Sequence, residues 1–258
     1  MPTLTLLQAR MGSTRLPGKV MRPLSGKPMV ERIIERLRAV PEIDDVVIAT
    51  SSEPANDVIR AFGEKHAVAV FSGDENDVLD RYYQAARRFG ADPVVRITAD
   101  CPLIDPKVVS DLIALYRAND YDHAGVLTGA SPARPGQGRF PDGLDAEVIR
   151  FAALKRAWRE ASAPGDREHV TPYLWRQPEK FRLGVLTAER DYGDMRWTVD
   201  NEEDFALIDK IFTALYPQKP DFAMADILAF LAEHPGLATI NRQFINPEAH
   251  EKLRSVQP

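Results

Sequence analysis

The sequence predicts an α/β protein built on a mostly parallel sheet. Short apolar runs of strand length recur at 4–7, 46–49, 68–71 and 94–98, and each is followed by a stretch with helical periodicity. Helix-length segments between such strands imply βαβ units with right-handed crossovers. Size agrees: 258 residues with 44% hydrophobic content can bury one large core, and that length suits one large α/β domain better than two small ones.

The first run, Leu4-Thr5-Leu6-Leu7, reads as a buried strand. Residues 28–39 read as a helix, with Pro28 at its first position and Met29, Val30, Ile33, Ile34 and Leu37 on one face. After the strand at 46–49, Ser51-Ser52-Glu53-Pro54 reads as a helix start, followed by Val58, Ile59 and Phe62 at helical spacing. A strand at 68–71, a loop at 72–76 and a helix at 77–89 repeat the pattern. A strand at 94–98, a turn from Asp100 to Pro106 and a helix at 107–118 repeat it again.

The second half is less regular. Residues 128–141, T-G-A-S-P-A-R-P-G-Q-G-R-F-P, are rich in glycine and proline and read as a loop, either a functional flap or a plain surface loop. Strands are expected at 145–149, 181–186 and 196–199, and helices at 151–162, 167–177, 202–214 and 223–233. The domain is expected to span 1–240, with 241–258 a polar tail that is loosely held or packs on a partner subunit.

The totals exclude several function classes. Lys and Arg number 33 against 38 Asp and Glu, a formal net charge of -5. A mildly acidic chain is a poor general binder of nucleic acid or membrane surfaces, although it can hold local basic pockets for small anions. The single cysteine, Cys101, allows no disulfide within the chain and no cysteine-rich metal site. The five histidines are scattered and never at ligand spacing. No signal peptide is read at the N-terminus, and no apolar run approaches the roughly 18 residues of a membrane span. A soluble cytoplasmic protein is expected.

The chemistry begins at residues 8–19, Q-A-R-M-G-S-T-R-L-P-G-K. This segment follows the first strand, so it lies at the edge where parallel sheets bind ligands. Gly12 and Gly18 let the backbone approach a ligand closely, and free N–H groups in such a loop form an anion nest. Arg10, Arg15 and Lys19 add full positive charges, and Ser13 and Thr14 add hydroxyl donors. A triphosphate is the natural ligand for so many donors. The alternative is a solvated loop with surface ion pairs, against which the near absence of buriable residues argues.

The loop is not a P-loop. G-x-x-x-x-G-K-[ST] needs four residues between its glycines and a hydroxyl after its lysine. Here five residues separate Gly12 from Gly18, and Val20 follows Lys19. The dinucleotide pattern G-x-G-x-x-G is absent as well, so neither a P-loop NTPase nor an NAD enzyme is supported.

A triphosphate site needs Mg²⁺, and Mg²⁺ takes carboxylate oxygens. Asp100, in R-I-T-A-D-C-P-L, lies just past a strand on the ligand-facing edge. Asp200, in R-W-T-V-D, stands before the helix that Asn201 begins; it either binds metal or caps that helix. For Asp100 the alternative is a turn residue before Pro102. Cys101 invites a nucleophile reading, but no histidine is marked as its base and a half-buried thiol is the commoner case.

Q-A-R-M-G-S-T-R-L-P-G-K-V, S-G-K-P-M-V, T-A-D-C-P-L-I-D, P-D-G-L-D-A-E-V, R-E-H-V-T-P-Y and W-T-V-D-N-E-E-D-F together resemble the SpsF-type cytidylyltransferases, named for spore-coat polysaccharide biosynthesis. These are similar to the CMP-KDO and CMP-sialate synthetases. The resemblance runs from about residue 3 to about 240. It implies a Rossmann-like nucleotide-diphosphosugar-transferase fold, a mixed, mostly parallel sheet with helices on both faces, in a protein that forms a homodimer. It implies that Arg10, Ser13, Arg15 and Lys19 hold the nucleotide phosphates and that Asp100 and Asp200 hold Mg²⁺. Gln8, Ala9 and the Ser72-Gly73 loop would then surround the base and ribose. KDO synthetases carry glutamine two residues before the metal aspartate, where it helps read cytosine; here that position is Thr98, so CTP rather than another NTP is implied by the family and not by these residues.

The expected reaction is nucleotidyl transfer: an oxygen of a sugar acid or sugar phosphate attacks the α-phosphorus of CTP in line and pyrophosphate leaves. The acceptor contacts are expected from Arg139, Asp142, Asp145, Glu147, Glu168 and His169, whose alternative is ordinary surface polarity, or for His169 a core position. Two other readings compete. A glycosyltransferase would need a D-x-D-like motif, which Asp100-Cys101-Pro102 does not supply. A non-catalytic nucleotide-binding regulator would need no second carboxylate across the site.

Overall fold

The structure is a computed structural model, and it describes residues 1–131 and 135–245. Its centre is a seven-stranded sheet. In chain order the strands are β1 (Leu4–Gln8), β4 (Asp45–Ser51), β5 (Ala69–Gly73), β6 (Val94–Thr98), β7 (His123–Val126), β8 (Glu147–Ile149) and β9 (Leu183–Leu186). The spatial order is β5-β4-β1-β6-β8-β7-β9. Only β8 runs antiparallel to its neighbours, so the sheet is mixed and mostly parallel.

Adjacent residues of β1 show why helices cover both faces. Leu6 and Leu7 are both fully buried, yet successive side chains of a strand point to opposite faces. Leu6 joins a core with Leu79 and Tyr82, on α3 (Val78–Phe89), and Leu154, on α5 (Phe151–Glu160). Leu7 joins the larger core with α1 (Met29–Arg38), α4 (Pro106–Asn119), α8 (Glu202–Leu215) and α9 (Met224–Glu233). A sheet buried on both faces needs unbroken apolar strands, which is what the runs in the sequence supplied.

Several boundaries differ from expectation for identifiable reasons. The expected helix at 167–177 is two short pieces, α6 (Pro164–His169) and α7 (Pro172–Trp175). Val170 between them takes φ 72, and the Pro172 nitrogen has no N–H to donate. The expected strand at 196–199 pairs through one bridge only, Asp142 with Arg196, because its other partners are loops: Trp197 N donates to Asp142 O (2.6 Å) and Val199 N to Asp100 O (2.8 Å). The strand expected at 145–149 begins at Glu147, and that at 181–186 begins at Leu183. The helix expected after Ser51 begins as a single 3-10 turn at Pro54–Asn56 and continues as α2 (Asp57–Lys65). The sequence reading missed β7, and it missed the small hairpin of β2 (Pro23–Leu24) and β3 (Lys27–Pro28). That hairpin turns on Ser25 and Gly26, both at positive φ. The expected flap lies partly outside the described residues, but its stems are joined, with Gly129 N donating to Phe140 O (2.8 Å).

One buried carboxylate in the second half of the sheet gathers two basic side chains. Arg96 on β6 meets Glu147 on β8 at 2.5 Å, and His123 on β7 lies 2.9 Å from the same carboxylate. Burial pushes the Glu147 carboxyl up, but Arg96 and His123 outweigh it and hold it at about 2. Glu147→Ala would leave the Arg96 guanidinium with no carboxylate in a largely buried place. It should lower stability by about 3 kcal/mol in urea unfolding; a loss near zero would show that Arg96 reaches solvent.

Candidate active site

The loop after β1 is pinned from several directions. Met11 N donates to Asn56 Oδ1 (2.8 Å), and Gly18 N donates to Met11 O (3.1 Å). Leu16 and Val20 are buried and anchor it to the core. Gly18 takes φ 72, and a Cβ there would sit 3.3 Å from Met11 Cε, so a side chain is strained at this turn. These constraints leave Lys19 only 8% exposed, pointing inward rather than into solvent.

The Lys19 ammonium is held by oxygens from the far end of the chain. Nζ donates to Val199 O (2.7 Å) and Asp200 Oδ1 (2.9 Å), and lies 3.5 Å from Asp100 Oδ2. Asp100 comes from the loop past β6, where Ala99 N donates to Gln8 O (2.9 Å). Asp200 arrives because Val199 N (2.8 Å) and Thr198 Oγ1 (3.2 Å) both donate to the Asp100 carbonyl. One peptide oxygen thus staples two segments a hundred residues apart. Of the two alternatives for Asp200, the cap of α8 does not use its carboxylate: Asp204 Oδ2 accepts from the backbone N–H groups of Asp200 and Asn201 (3.0 Å each). The Asp200 carboxylate is left to face Lys19, Arg15 (2.9 Å) and Arg196 (2.8 Å). Burial pushes it up, but these cations outweigh burial and hold it at about 2.

Arg196 is the organiser that sequence reading missed. Its guanidinium meets Asp204 through Nε (3.0 Å), Asp142 through Nη1 (2.9 Å) and Asp200 through Nη2 (2.8 Å). The spacing of Arg196, Asp200 and Asp204 at every fourth residue was visible, but Asp142 is distant in sequence and left no signal. Asp142 and Asp145 flank Gly143, which takes φ 106 with Trp197 carbonyl carbon only 2.5 Å from where a Cβ would be. Burial, then the nearby Asp145, push Asp142 up to about 7 despite Arg196. Asp145 is also raised by burial, opposed by donors from Thr128 Oγ1 and Gly143 N.

A cleft of about 820 Å³ opens between these residues. Arg15, Thr98, Asp100, Asp142, Asp145 and Asp200 line it, as does His169, which is exposed rather than a core histidine. Lys19 contacts both of its metal-candidate carboxylates from below. Three expected acceptor residues do not line the cleft. Glu147 is turned into the sheet against Arg96 and His123. Arg139 is held by a two-pronged pair with Asp191 (both 2.9 Å). Glu168 is exposed on α6.

The remaining expected nucleotide residues, Arg10, Gly12 and Ser13 for the phosphates and Gln8, Ala9, Ser72 and Gly73 for the base and ribose, lie in the loop after β1 and at the neighbouring strand ends. Arg10 pairs with Glu75 (3.1 Å), and a Cβ on Gly12 would be 3.7 Å from the same Glu75. Ser13 sits in the loop turn, with its N–H on Met11 O (3.0 Å). Ala9 is buried beside β4, while Ser72 and Gly73 end β5. Gln8 Oε1, Glu75 Oε2 and two nitrogens of Arg81 are buried at this edge without a hydrogen-bond partner among the described residues, a state that ordinarily costs about 1–3 kcal/mol per group. Cys101 is buried, and burial and then Asp100 push its thiol well up, away from the thiolate form that a nucleophile uses.

Residues 4–234 match the family described as Cytidylyltransferase. The chain belongs to the cytidylyltransferase family. Within it, the chain is 30% identical to the spore coat polysaccharide biosynthesis protein SpsF of Bacillus subtilis, over 92% of this chain and 96% of that one. It is 34% identical to the 3-deoxy-manno-octulosonate cytidylyltransferase of Geobacter sulfurreducens, over 47% of this chain and 48% of that one. A solved cytidylyltransferase from Leptospira borgpetersenii superposes with a TM-score of 0.83 at 30% identity, covering 92% of this chain and 97% of that one. The cytidylyltransferase family supplies the nucleotidyltransferase fold and an SpsF-like relationship to this chain.

Asp142 offers a test of the site's electrostatics. Its ordinary carboxyl value of 3.8 is raised to about 7 in the folded chain, so its ionisation is resisted by folding and its contribution to stability is lost as pH rises from about 4 to 7. In metal-free buffer, the margin by which Asp142→Asn melts above wild type should grow from pH 5 to pH 8. A melting difference that does not grow with pH would contradict the assignment.

Proposed function

We propose that this chain transfers a cytidylyl group from CTP to a sugar acid or a sugar phosphate and releases pyrophosphate. The observation that carries this reading is the shared cation: Asp100 and Asp200, from loops a hundred residues apart, converge on the Lys19 ammonium beneath a phosphate-type loop. The names of the SpsF and octulosonate relatives support the class of acceptor.

The residues fit Mg²⁺. Asp100 and Asp200 are brought together by their shared contact with the Lys19 ammonium, and they are two carboxylates rather than a cluster of three ligating side chains among the described residues. Two carboxylates completed by water and substrate phosphates are what Mg²⁺ ordinarily takes. Asp100 and Asp200 would hold it, and when bound there it would supply orientation and polarisation of the α-phosphate. Arg15 and Lys19 stabilise charge on the departing pyrophosphate, with Arg10 and the N–H groups of Gly12, Thr14 and Arg15 holding its oxygens. The acceptor oxygen bonds to the α-phosphorus as the bond to the bridging oxygen breaks. Asp142, whose carboxyl burial and then Asp145 raise to about 7, receives the acceptor's proton. The unpartnered Gln8 and Arg81 groups face the ends of β1 and β5, where the base would find a donor and an acceptor. We further propose that the enzyme works in the cytoplasm, as a homodimer, in surface-polysaccharide synthesis.

Pyrophosphate release from each NTP with Mg²⁺, against a panel of sugar acids and sugar phosphates, tests the reading. Release with CTP and one acceptor is expected; silence across the panel from folded protein would overturn it. With that acceptor, Lys19→Ala and Asp100→Asn should each reduce turnover by ~10²-fold or more, the scale of losing a charge-stabilising group. Near-normal rates in both would remove the site assignment.

A further inference from the structure

The last described residues return to the cleft. Asn241 is 1% exposed although Arg242 and Gln243 after it are exposed. Its side-chain amide donates to Arg196 O (2.9 Å) and to Asp204 Oδ1 (2.8 Å). These are the two residues that fix Asp200 and its helix. A single 3-10 turn, Arg242–Phe244, follows, closed by Phe244 N on Asn241 O (3.0 Å). Gln243 Nε2 donates to Glu203 Oε1 (3.2 Å), which ties the turn to the first turn of α8.

This anchoring puts Gln243, Phe244 and Ile245 on the cleft wall, beside Met195. Phe244 and Ile245 are half-buried there. Apart from the His169 imidazole, Phe244 carries the one aromatic ring among the described residues lining a cleft that also holds four aspartates and three arginines. The turn is tied to Arg196 and α8, on the side of Asp142, and not to the ends of β1 and β5 where the nucleotide base is placed. A sugar presents hydroxyls at its edge and C–H bonds on its faces, so it needs a polar rim and an apolar platform together.

We propose that Phe244, which shares the cleft wall with Ile245 and Met195 and is positioned by Asn241, is the platform for the acceptor's ring, and that the acceptor carries an apolar face of C–H bonds. This rests on the transferase reading above. The class is narrower than any polyol: the same wall disfavours an acceptor charged on that face, since burying a charge against Phe244 and Ile245 is costly.

Steady-state kinetics with the panel acceptor that releases pyrophosphate from wild type tests this. Phe244→Ala should raise the acceptor KM about tenfold while the CTP KM stays within about twofold, the scale of one stacked aromatic contact. Phe244→Tyr keeps the ring and should keep the wild-type acceptor KM. Calorimetric titration of Mg²⁺·CTP into Phe244→Ala should match wild type, which also shows that the variant is folded. Turnover with an unmoved acceptor KM in Phe244→Ala, or an equal loss for CTP and acceptor, would overturn this inference alone. Absence of pyrophosphate release from wild type with every acceptor would instead overturn the transferase reading and this inference with it.

Discussion

A buried lysine ammonium bound by two aspartates a hundred residues apart is the constraint on which the site depends. Lys19 is removed from water, so its charge must be met by protein oxygens. Val199 O, Asp200 Oδ1 and Asp100 Oδ2 meet it. Each comes with its own support: Asp100 from the end of β6, Asp200 from the segment stapled to the Asp100 carbonyl, and Lys19 from a loop locked by Gly18, Leu16 and Val20. Removing any one support leaves a buried charge without its partner. This explains why a loop, a central strand end and the start of a C-terminal helix must all be in place before the cleft exists.

Arg196 extends the same logic. One planar guanidinium satisfies Asp142, Asp200 and Asp204 at once, a geometry that a lysine point charge would not reproduce. It divides the acids of the cleft into two kinds. Asp200, crowded by cations, stays ionised and suited to a metal; Asp142, crowded by acids, lies near neutrality and suited to proton transfer. Neighbouring carboxylates with separated proton affinities are the usual mark of divided acid–base roles. Asn241 then ties the end of the described chain to this hub, so the cleft wall and the metal candidates share one support.

Much of the fold was legible because strands buried on both faces must be unbroken apolar runs. The runs at 4–7, 46–49 and 94–98 are such strands, and their order put residues 8–19 and Asp100 on one edge. The phosphate-type loop was legible through its lack of buriable residues. What was not legible depended on distance. β7 has one fully buried apolar residue, Ala124, and no alternation to mark it. Glu147 and Arg139 looked like site residues by composition, but their charges are spent on Arg96 with His123 and on Asp191, partners that spacing cannot reveal. The role of Asp200 could not be separated from helix capping until Asp204 was seen to hold the cap. Asn241 looked like part of a polar tail because its two partners lie 37 and 45 residues away.

The central claim is that Asp100 and Asp200 hold a divalent cation that the nucleotide shares. Calorimetric titration of CTP into wild type and Asp200→Asn, each with Mg²⁺ and with EDTA, addresses it most directly. The account predicts tight binding only for wild type with Mg²⁺, with EDTA and the substitution each causing a comparable loss and no further loss when combined. Equal CTP affinity in all four conditions would contradict it.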